Sequence, residues 1–213
     1  MKTTFALIAF TAFQFAIAQK TIELKEFKSL TVASDSQVTM VKSNKDYLII
    51  NGEDDESTDI NNEGGSLVLN SDANYILYYK SNIENITIAS DAILSCDEEI
   101  KSNQLTITAD SDAIVTLAVN VKQLQTTANS DAVVTLTGKA VNHSAAFNSD
   151  AQLNAKSLIT ENSNIVLSSD AVGLITAKKI VNATVSSDAS LTIYGNPDKV
   201  NKNISDDGEI IVK

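Results

Sequence analysis

A Ser-Asp-Ala tripeptide, or a close variant of it, returns about every nineteen residues along this 213-residue chain. From Asp72 onward the successive aspartates are 19, 21, 19, 19, 20, 18 and 18 residues apart. A fixed period of this size is typical of repeat architectures, in which each unit is one coil that its neighbours stabilise. The repeat therefore predicts a solenoid. Its aspartates are Asp35, Asp72, Asp91, Asp112, Asp131, Asp150, Asp170, Asp188 and Asp206.

Apolar and polar residues alternate on both sides of each repeated aspartate, as in Ala132-x-Val134-x-Leu136 after Asp131. A period of two is typical of half-buried strands and not of helices. The Ser and the Ala of the repeat share the parity of the apolar residues. The pattern therefore predicts a corner at which Ser and Ala point inward and Asp points outward. A third, weaker apolar segment closes each coil, around Val119 and Val121, Val141, Leu158, Ile180 and Val200.

Three short strands in nineteen residues predict an all-β protein, a parallel β-helix built as a single-stranded solenoid of roughly nine to ten coils. The right-handed rule for parallel crossovers predicts a right-handed helix. The one irregular step, from Asp35 to Asp72, contains two strands, Tyr47–Ile50 and Leu67–Leu69. The acidic segment from Gly52 through Gly65 is predicted to be a loop between them.

The first residues have the features of a secretory signal peptide. Lys2 gives a positive start, an apolar run follows, and Ala16-Ile17-Ala18 is a small-x-small cleavage site. We therefore expect residues 1–18 to be removed near Ala18, and residues 19–213 to form a single β-helix domain that is exported to the periplasm, the outer surface or the extracellular space. No later stretch is apolar enough to predict a transmembrane segment.

The composition argues against an enzyme. The net charge is −11, which disfavours nucleic acid as a partner. The chain has no Trp and no Arg, which polysaccharide-cleaving sites commonly use, and its one histidine, His143, is predicted to lie at the surface. We expect no cofactor. The single Cys96 excludes an internal disulfide and is predicted to be a partly buried filler.

The candidate interaction patch is the tyrosine cluster Tyr75, Tyr78 and Tyr79. Alternation places Tyr75 and Tyr79 on one face of a strand and Tyr78 on the other. On an exposed strand these rings could contact an unknown protein or glycan ligand at the cell surface, because tyrosine is amphipathic and favoured at interfaces. The alternative is that they pack beneath the acidic loop.

The outward aspartates of successive coils should form a row about 4.8 Å apart. The simplest interpretation is that these residues suit a turn and keep the protein soluble. The alternative is that neighbouring carboxylates and carbonyl oxygens bind Ca²⁺ and stabilise the rod. The aspartates concerned are Asp91, Asp112, Asp131, Asp150, Asp170 and Asp188.

The chain resembles the head-GIN domain family of secreted bacterial proteins. The motifs that carry the resemblance are Phe27-x-x-Leu30-x-Val32, Gly65-Ser66-Leu67-x-Leu69, and Tyr194-Gly195-x-Pro197 followed by Asp207-Gly208. The resemblance implies a right-handed parallel β-helix, an adhesin-like role and no established activity. The corners of this chain depart from the Ser-Gly-Ser-Gly type of the family. The expected function is a non-enzymatic surface interaction module. A Ca²⁺-stabilised structural rod and a carbohydrate-active enzyme are the alternatives.

Overall fold

The computed structural model describes residues 19–51 and 59–213, and the predicted signal peptide and residues 52–58 of the predicted acidic loop lie outside these ranges. The described residues contain sixteen strands and no helix, and all the strands belong to one hydrogen-bonded sheet. The strands are β1 (Gln19–Glu23), β2 (Ser29–Ala33), β3 (Gln37–Lys42), β4 (Tyr47–Asn51), β5 (Ile60–Glu63), β6 (Ser66–Asn70), β7 (Asn74–Tyr79), β8 (Asn85–Ile88), β9 (Ile93–Ala109), β10 (Ile114–Ala128), β11 (Val133–Phe147), β12 (Gln152–Leu167), β13 (Val172–Val185), β14 (Ser190–Tyr194), β15 (Lys199–Ile204) and β16 (Glu209–Val212).

The central strands are whole coils. Each of β9 to β13 runs from one corner to the next, and each pairs in parallel with the strand one coil away. The parallel β-helix predicted from the repeat is therefore confirmed. The number of coils is not: the stack has about seven turns, fewer than the nine to ten expected. The difference arises because part of the first 60 residues forms antiparallel strands instead of coils.

The first two turns are wound out of chain order. Strand β2 lies between β6 and β8, and β3 lies between β7 and β9, so the turn around Asp72 is stacked outside the turn around Asp35. Strands β1 and β4 add to the outer edge of β7 as antiparallel neighbours, and β5 pairs antiparallel with β6. These strands cover the amino-terminal end of the stack, which would otherwise present open strand edges.

Every corner except that at Asp72 is a tight turn with two residues in the left-handed region. At a typical corner φ is 52° for Ser130 and 64° for Asp131, and the N–H of Ala132 donates to the carbonyl oxygen of Asn129 across 3.2 Å. Positive φ at both central residues defines a type I′ turn. The chain can therefore turn sharply from one side of the coil to the next within two residues, and these two residues are the Ser and the Asp of the repeat.

The turn changes which residues face the core. The Ala of the repeat points inward as predicted: Ala92, Ala113, Ala132, Ala151, Ala171 and Ala189 are all fully buried. The prediction that the Ser also points inward is wrong, because Ser130 is exposed together with Asp131 and its counterparts in the other coils are exposed or half-buried. Two consecutive left-handed residues interrupt the alternation at the Ser, although the inward residues on the two sides of the corner, such as Ala128 and Ala132, keep the same parity.

The two ends of the repeat also differ from expectation. At the last corner the left-handed pair is Asp206 and Asp207, so Asp207 and not Asp206 takes the position of the repeated Asp. Asp72 has no left-handed backbone, and its turn contacts the first coil through Ser71 and Ser36, which share a hydrogen bond. The structure therefore has eight left-handed corner pairs among its described residues.

The core is a set of stacked inward columns. Leu94, Val115, Val134 and Leu153 form one such column, and all are 1% exposed or less. On the third side of the coil, only some of the apolar residues that the sequence pattern singled out point inward. Val119, Val121 and Leu158 are buried, but Val141 and Ile180 are 39% and 40% exposed, and their neighbours Ala140 and Val181 take the inward positions.

Candidate functional site

The predicted tyrosine patch is divided between the core and the surface. Tyr75 and Tyr79 are 2% and 1% exposed, so they lie inside the stack. Tyr78 points the other way, as the alternation predicted, and its half-buried ring stacks on Tyr47 with centroids 4.3 Å apart and planes 5° from parallel. The three rings therefore do not form one contact surface. The part of the cluster that a ligand could reach is the Tyr47–Tyr78 pair.

Cys96 is fully buried beside Tyr79. The Tyr79 hydroxyl and the Cys96 Sγ are 3.6 Å apart, and the thiol also donates to the carbonyl oxygen of Glu98 across 3.3 Å. Burial raises the pKa of both groups. The thiol is therefore neutral and inaccessible, which does not fit a nucleophile.

His143 is buried, and the prediction of a surface histidine is wrong. Its side chain is 1% exposed, and Nε2 lies 2.9 Å from Oγ1 of Thr126. Nδ1 is buried without a hydrogen-bond partner, and burial lowers the pKa of the imidazole to about 4. The register places His143 between Leu124 and Ser163 in an inward column. A neutral imidazole therefore serves as a core residue here.

Charge is segregated around the coil. The repeated aspartates form an acidic row along the corners. From residue 114 to 200, every lysine lies on the third side of the coil, between the residues that follow one corner and those that precede the next, or at the start of β15. These lysines are Lys122, Lys139, Lys156, Lys178, Lys179 and Lys199. An acidic protein thus has one locally basic side.

A groove with a volume of about 420 Å³ lies on this basic side. Its apolar part includes Val141 and Ile159, which are 39% and 45% exposed. Its charged lining consists of Lys139, Lys178, Lys179 and Glu161. The Lys179 ammonium is paired with the Glu161 carboxylate at 2.7 Å, and this pairing raises the pKa of Lys179.

Two outward columns of residues that precede the corners contain no charged side chain. Nine parallel strands contribute two outward residues each, in continuous register. We call these eighteen residues the amide–hydroxyl face. One column is Ser66, Ser29, Asn85, Thr106, Gln125, Ser144, Asn164, Asn182 and Asn201, and the other is Val68, Thr31, Thr87, Thr108, Thr127, Ala146, Val166, Thr184 and Asn203.

The acidic row consists of single carboxylates along the corners. Each coil contributes one repeated carboxylate, and within residues 19–51 and 59–213 no group of three or more His, Cys, Asp or Glu side chains is placed to hold a metal ion. Ca²⁺ takes six to eight oxygen ligands.

The described part of the chain also contains no helix long and apolar enough to span a membrane.

The architecture matches those of solved bacterial proteins. A crystal structure of "a putative adhesin" from Bacteroides fragilis superposes with a TM-score of 0.77 at 15% identity, over 92% of this chain and 95% of that one. A "putative adhesin" from Parabacteroides merdae gives 0.70 at 13% identity, over 92% and 95%. A "putative lipid binding protein" from Parabacteroides distasonis gives 0.70 at 13%, over 92% and 96%. At these identities the likeness concerns the fold.

No curated protein sequence matches the chain. The profile of one family matches residues 26–197, which is most of the chain and confirms the resemblance seen in the sequence motifs. The chain belongs to the family described as "Putative auto-transporter adhesin, head GIN domain".

Proposed function

We propose that this protein is a non-enzymatic interaction module of the cell surface with an adhesin-like role, exported after cleavage near Ala18 and folded as one domain over residues 19–213. The observation that carries the proposal is the continuous outer surface of the coils, whose residues repeat in register from one strand to the next. A regular, extended surface offers many equivalent contacts, which suits adhesion.

The placement of the reactive groups supports a binding role over catalysis. Among the described residues, the buried ionisable side chains are Tyr75, Tyr79, Cys96 and His143, and all four point into the core. A catalytic group needs to reach its substrate. The aspartates of the repeat recur from coil to coil, and among the described residues no group of three or more His, Cys, Asp or Glu side chains is placed to hold a metal ion.

The proposal is tested with the purified mature protein, residues 19–213, on immobilised bacterial envelopes and on mammalian cell-surface glycoproteins. We expect saturable binding to at least one of these surfaces and no release of reducing ends from polysaccharides incubated with the protein. Turnover of any polysaccharide, or absence of binding to both surfaces, would contradict the proposal. The variant Tyr78→Ala tests the reachable part of the tyrosine cluster, while Tyr75 and Tyr79 are left intact because they support the core.

A second candidate function is binding of an anionic amphiphile, such as a fatty acid, in the groove on the basic side. The groove joins exposed Val141 and Ile159 to the ammonium groups of Lys139 and Lys178. Aliphatic side chains can bury part of an acyl chain, and lysine can pair with its carboxylate. One protein of similar fold is named a lipid-binding protein, which agrees with this candidate.

This candidate is tested with dodecanoate, and with dodecanol as the uncharged comparison. Ile159→Asn should weaken dodecanoate binding about tenfold, because an apolar contact worth about 1.5 kcal/mol is lost. Val166→Asn, at a site 49% exposed on another side of the coil, is the matched control. Lys178→Glu should weaken dodecanoate binding but not dodecanol binding. Equal effects of Ile159→Asn and Val166→Asn would rule out the groove as the site.

A further inference from the structure

We infer that the amide–hydroxyl face binds an uncharged polysaccharide chain. The inference rests on the proposed function, since it names the ligand class of a surface interaction module. It starts from the charge pattern. The protein has a net charge of −11 and 20% charged residues, yet none of the eighteen residues of this face is charged. The face therefore avoids the desolvation cost that a charged surface would incur on binding a neutral partner.

Strand formation alone does not explain the composition of the face. Thr and Val favour strands, but Asn is depleted in them. Five of the eighteen positions are nevertheless Asn, at 85, 164, 182, 201 and 203. Three of these amides are linked across the coils. Asn182 Nδ2 donates to Asn164 Oδ1 and Asn201 Nδ2 donates to Asn182 Oδ1, both across 2.7 Å.

The linked amides keep hydrogen-bonding capacity for a ligand. An amide has two N–H donors and an oxygen with two lone pairs. The Asn182 amide uses one donor and one lone pair in its contacts with Asn164 and Asn201, which leaves one of each. The contacts also hold the side chain in a fixed orientation. A pre-ordered amide loses less conformational entropy when it binds, which favours affinity.

The chemistry of the face matches sugar hydroxyl groups. A hydroxyl is both a donor and an acceptor, like the Asn, Gln, Ser and Thr side chains that supply most of the face. An anionic ligand would find no cation here and would meet the acidic row, since Asp131 lies only four residues beyond Thr127 in the same coil. The charge pattern therefore favours an uncharged chain over an acidic one.

The dimensions of the face favour a polymer. Nine strands at a spacing of about 4.8 Å extend over roughly 38 Å. A shallow cleft with a volume of about 250 Å³, lined by Gln104, Gln123, Leu124, Gln125 and Ser144, lies near the middle. A chain that runs along the stack could place several sugar units on successive coils. Each contact is weak, and affinity should therefore increase with the number of units.

The test measures binding of the mature protein to uncharged oligosaccharides of increasing length, from disaccharide to hexasaccharide, of the malto, cello, manno and xylo series. Oligogalacturonates serve as the acidic comparison. We expect at least one neutral series to bind, with affinity that rises with length, and the acidic series to bind more weakly. Gln125→Glu should weaken that binding about tenfold, because it places an unpaired charge in the contact. Gln152→Glu is the matched control, since Gln152 is exposed on the strand that follows the corner.

Three results would overturn the inference: no neutral hexasaccharide binds at up to about 10 mM, the acidic series binds best, or the two Gln→Glu variants behave alike. The concentration limit detects weak binding, since a Kd of about 1 mM corresponds to a binding free energy of only about −4 kcal/mol. Binding to envelopes or glycoproteins is measured in parallel. If one of these three results is found while the wild-type protein still binds envelopes or glycoproteins, the polysaccharide face is wrong but the proposed surface role stands. If the wild-type protein binds neither surface, the proposed function itself fails.

Discussion

The backbone N–H of Asp131 donates to the carbonyl oxygen of Ser149 in the next coil, across 3.0 Å. Both residues have left-handed backbone angles, with φ of 64° and 53°. Equivalent contacts of 2.9 to 3.0 Å join the corners from Asp35 to Asp206. The corners thus continue the hydrogen bonding of the strands through the turns, and this repeated contact holds a backbone conformation that Ser rarely adopts.

The left-handed corner predicts which substitutions the repeat tolerates. Ser130→Val should lower the free energy of unfolding by about 1–2 kcal/mol, because a β-branched side chain is strained at positive φ. Ser130→Gly should not lower it. The same Ser→Val change at Ser144, exposed in the middle of β11, is the control and should be tolerated. Urea unfolding of the three variants checks this. Equal destabilisation by the two Val variants would contradict it.

The acidic row predicts a response to salt that is not specific to calcium. Higher ionic strength should raise the melting temperature, since it screens repulsion between neighbouring carboxylates. Ca²⁺ at matched ionic strength should give the same melting temperature as Na⁺, because no three carboxylates of the described chain are grouped to hold the ion. Asp150→Asn should reduce the response to salt. A rise with Ca²⁺ alone, reversed by a chelator, would instead establish the calcium-stabilised rod.

The buried His143 predicts loss of stability in mild acid. The imidazole titrates near 6.5 in the unfolded chain and at about 4 in the folded protein. Between these values only the unfolded chain binds the proton, so unfolding becomes easier as the pH falls. This group alone should account for about 2 kcal/mol between about pH 7.5 and about pH 5. Urea unfolding at both pH values measures the loss.

The control for this prediction is His143→Leu, which continues the inward column that contains Leu105 and Leu124. The variant lacks the titrating group but keeps every carboxylate. Its stability should therefore fall less between the two pH values than that of the wild-type protein. Identical pH dependence in the two proteins would mean that His143 takes up its proton in the folded state.

Lys202 predicts a barrier to end-to-end association. Lys202 lies on β15 next to Ala183 of β13, in the same inward column, and the described chain provides no further coil beyond it. Its Nζ donates to the carbonyl oxygen of Ile210 across 3.3 Å. An inward-pointing charge on an open edge disfavours pairing with another sheet. Lys202→Leu should therefore form dimers as concentration rises, measured by sedimentation velocity. Lys199→Leu, an exposed change on the same strand, should stay monomeric. Monomeric Lys202→Leu would contradict the prediction.

Some of these features could be predicted from the sequence, and others depend on backbone geometry that a pattern does not encode. The alternation around Asp131 and the recurrence of Ala132 were sufficient to identify strands, corners and a parallel stack. The outward Ser130 was missed because a type I′ turn interrupts the alternation. His143 was missed because the third side of the coil has bends of variable length, as at Gly138, whose φ is 100°. A shift of one residue there exchanges inside and outside.

The functional surfaces were harder to predict for the same reason. The amide–hydroxyl face joins residues such as Asn85, Gln125 and Asn201, which no local motif connects. Only the register of nine strands shows that they share one surface. The tyrosine cluster, which is local, was easy to find and proved to be mostly core. The signal in the sequence becomes visible only when the outward positions of successive coils are aligned with one another.

The segregation of the antiparallel strands to one end of the stack has a consequence for how such a protein can change in length. Between Asp91 and Asp188 each coil contacts its neighbours through the same corner and strand pairs. Duplication or deletion of one repeat there would leave the amino-terminal strands and the final coil intact. Gene rearrangements could therefore lengthen or shorten the molecule in steps of about 4.8 Å without a new fold.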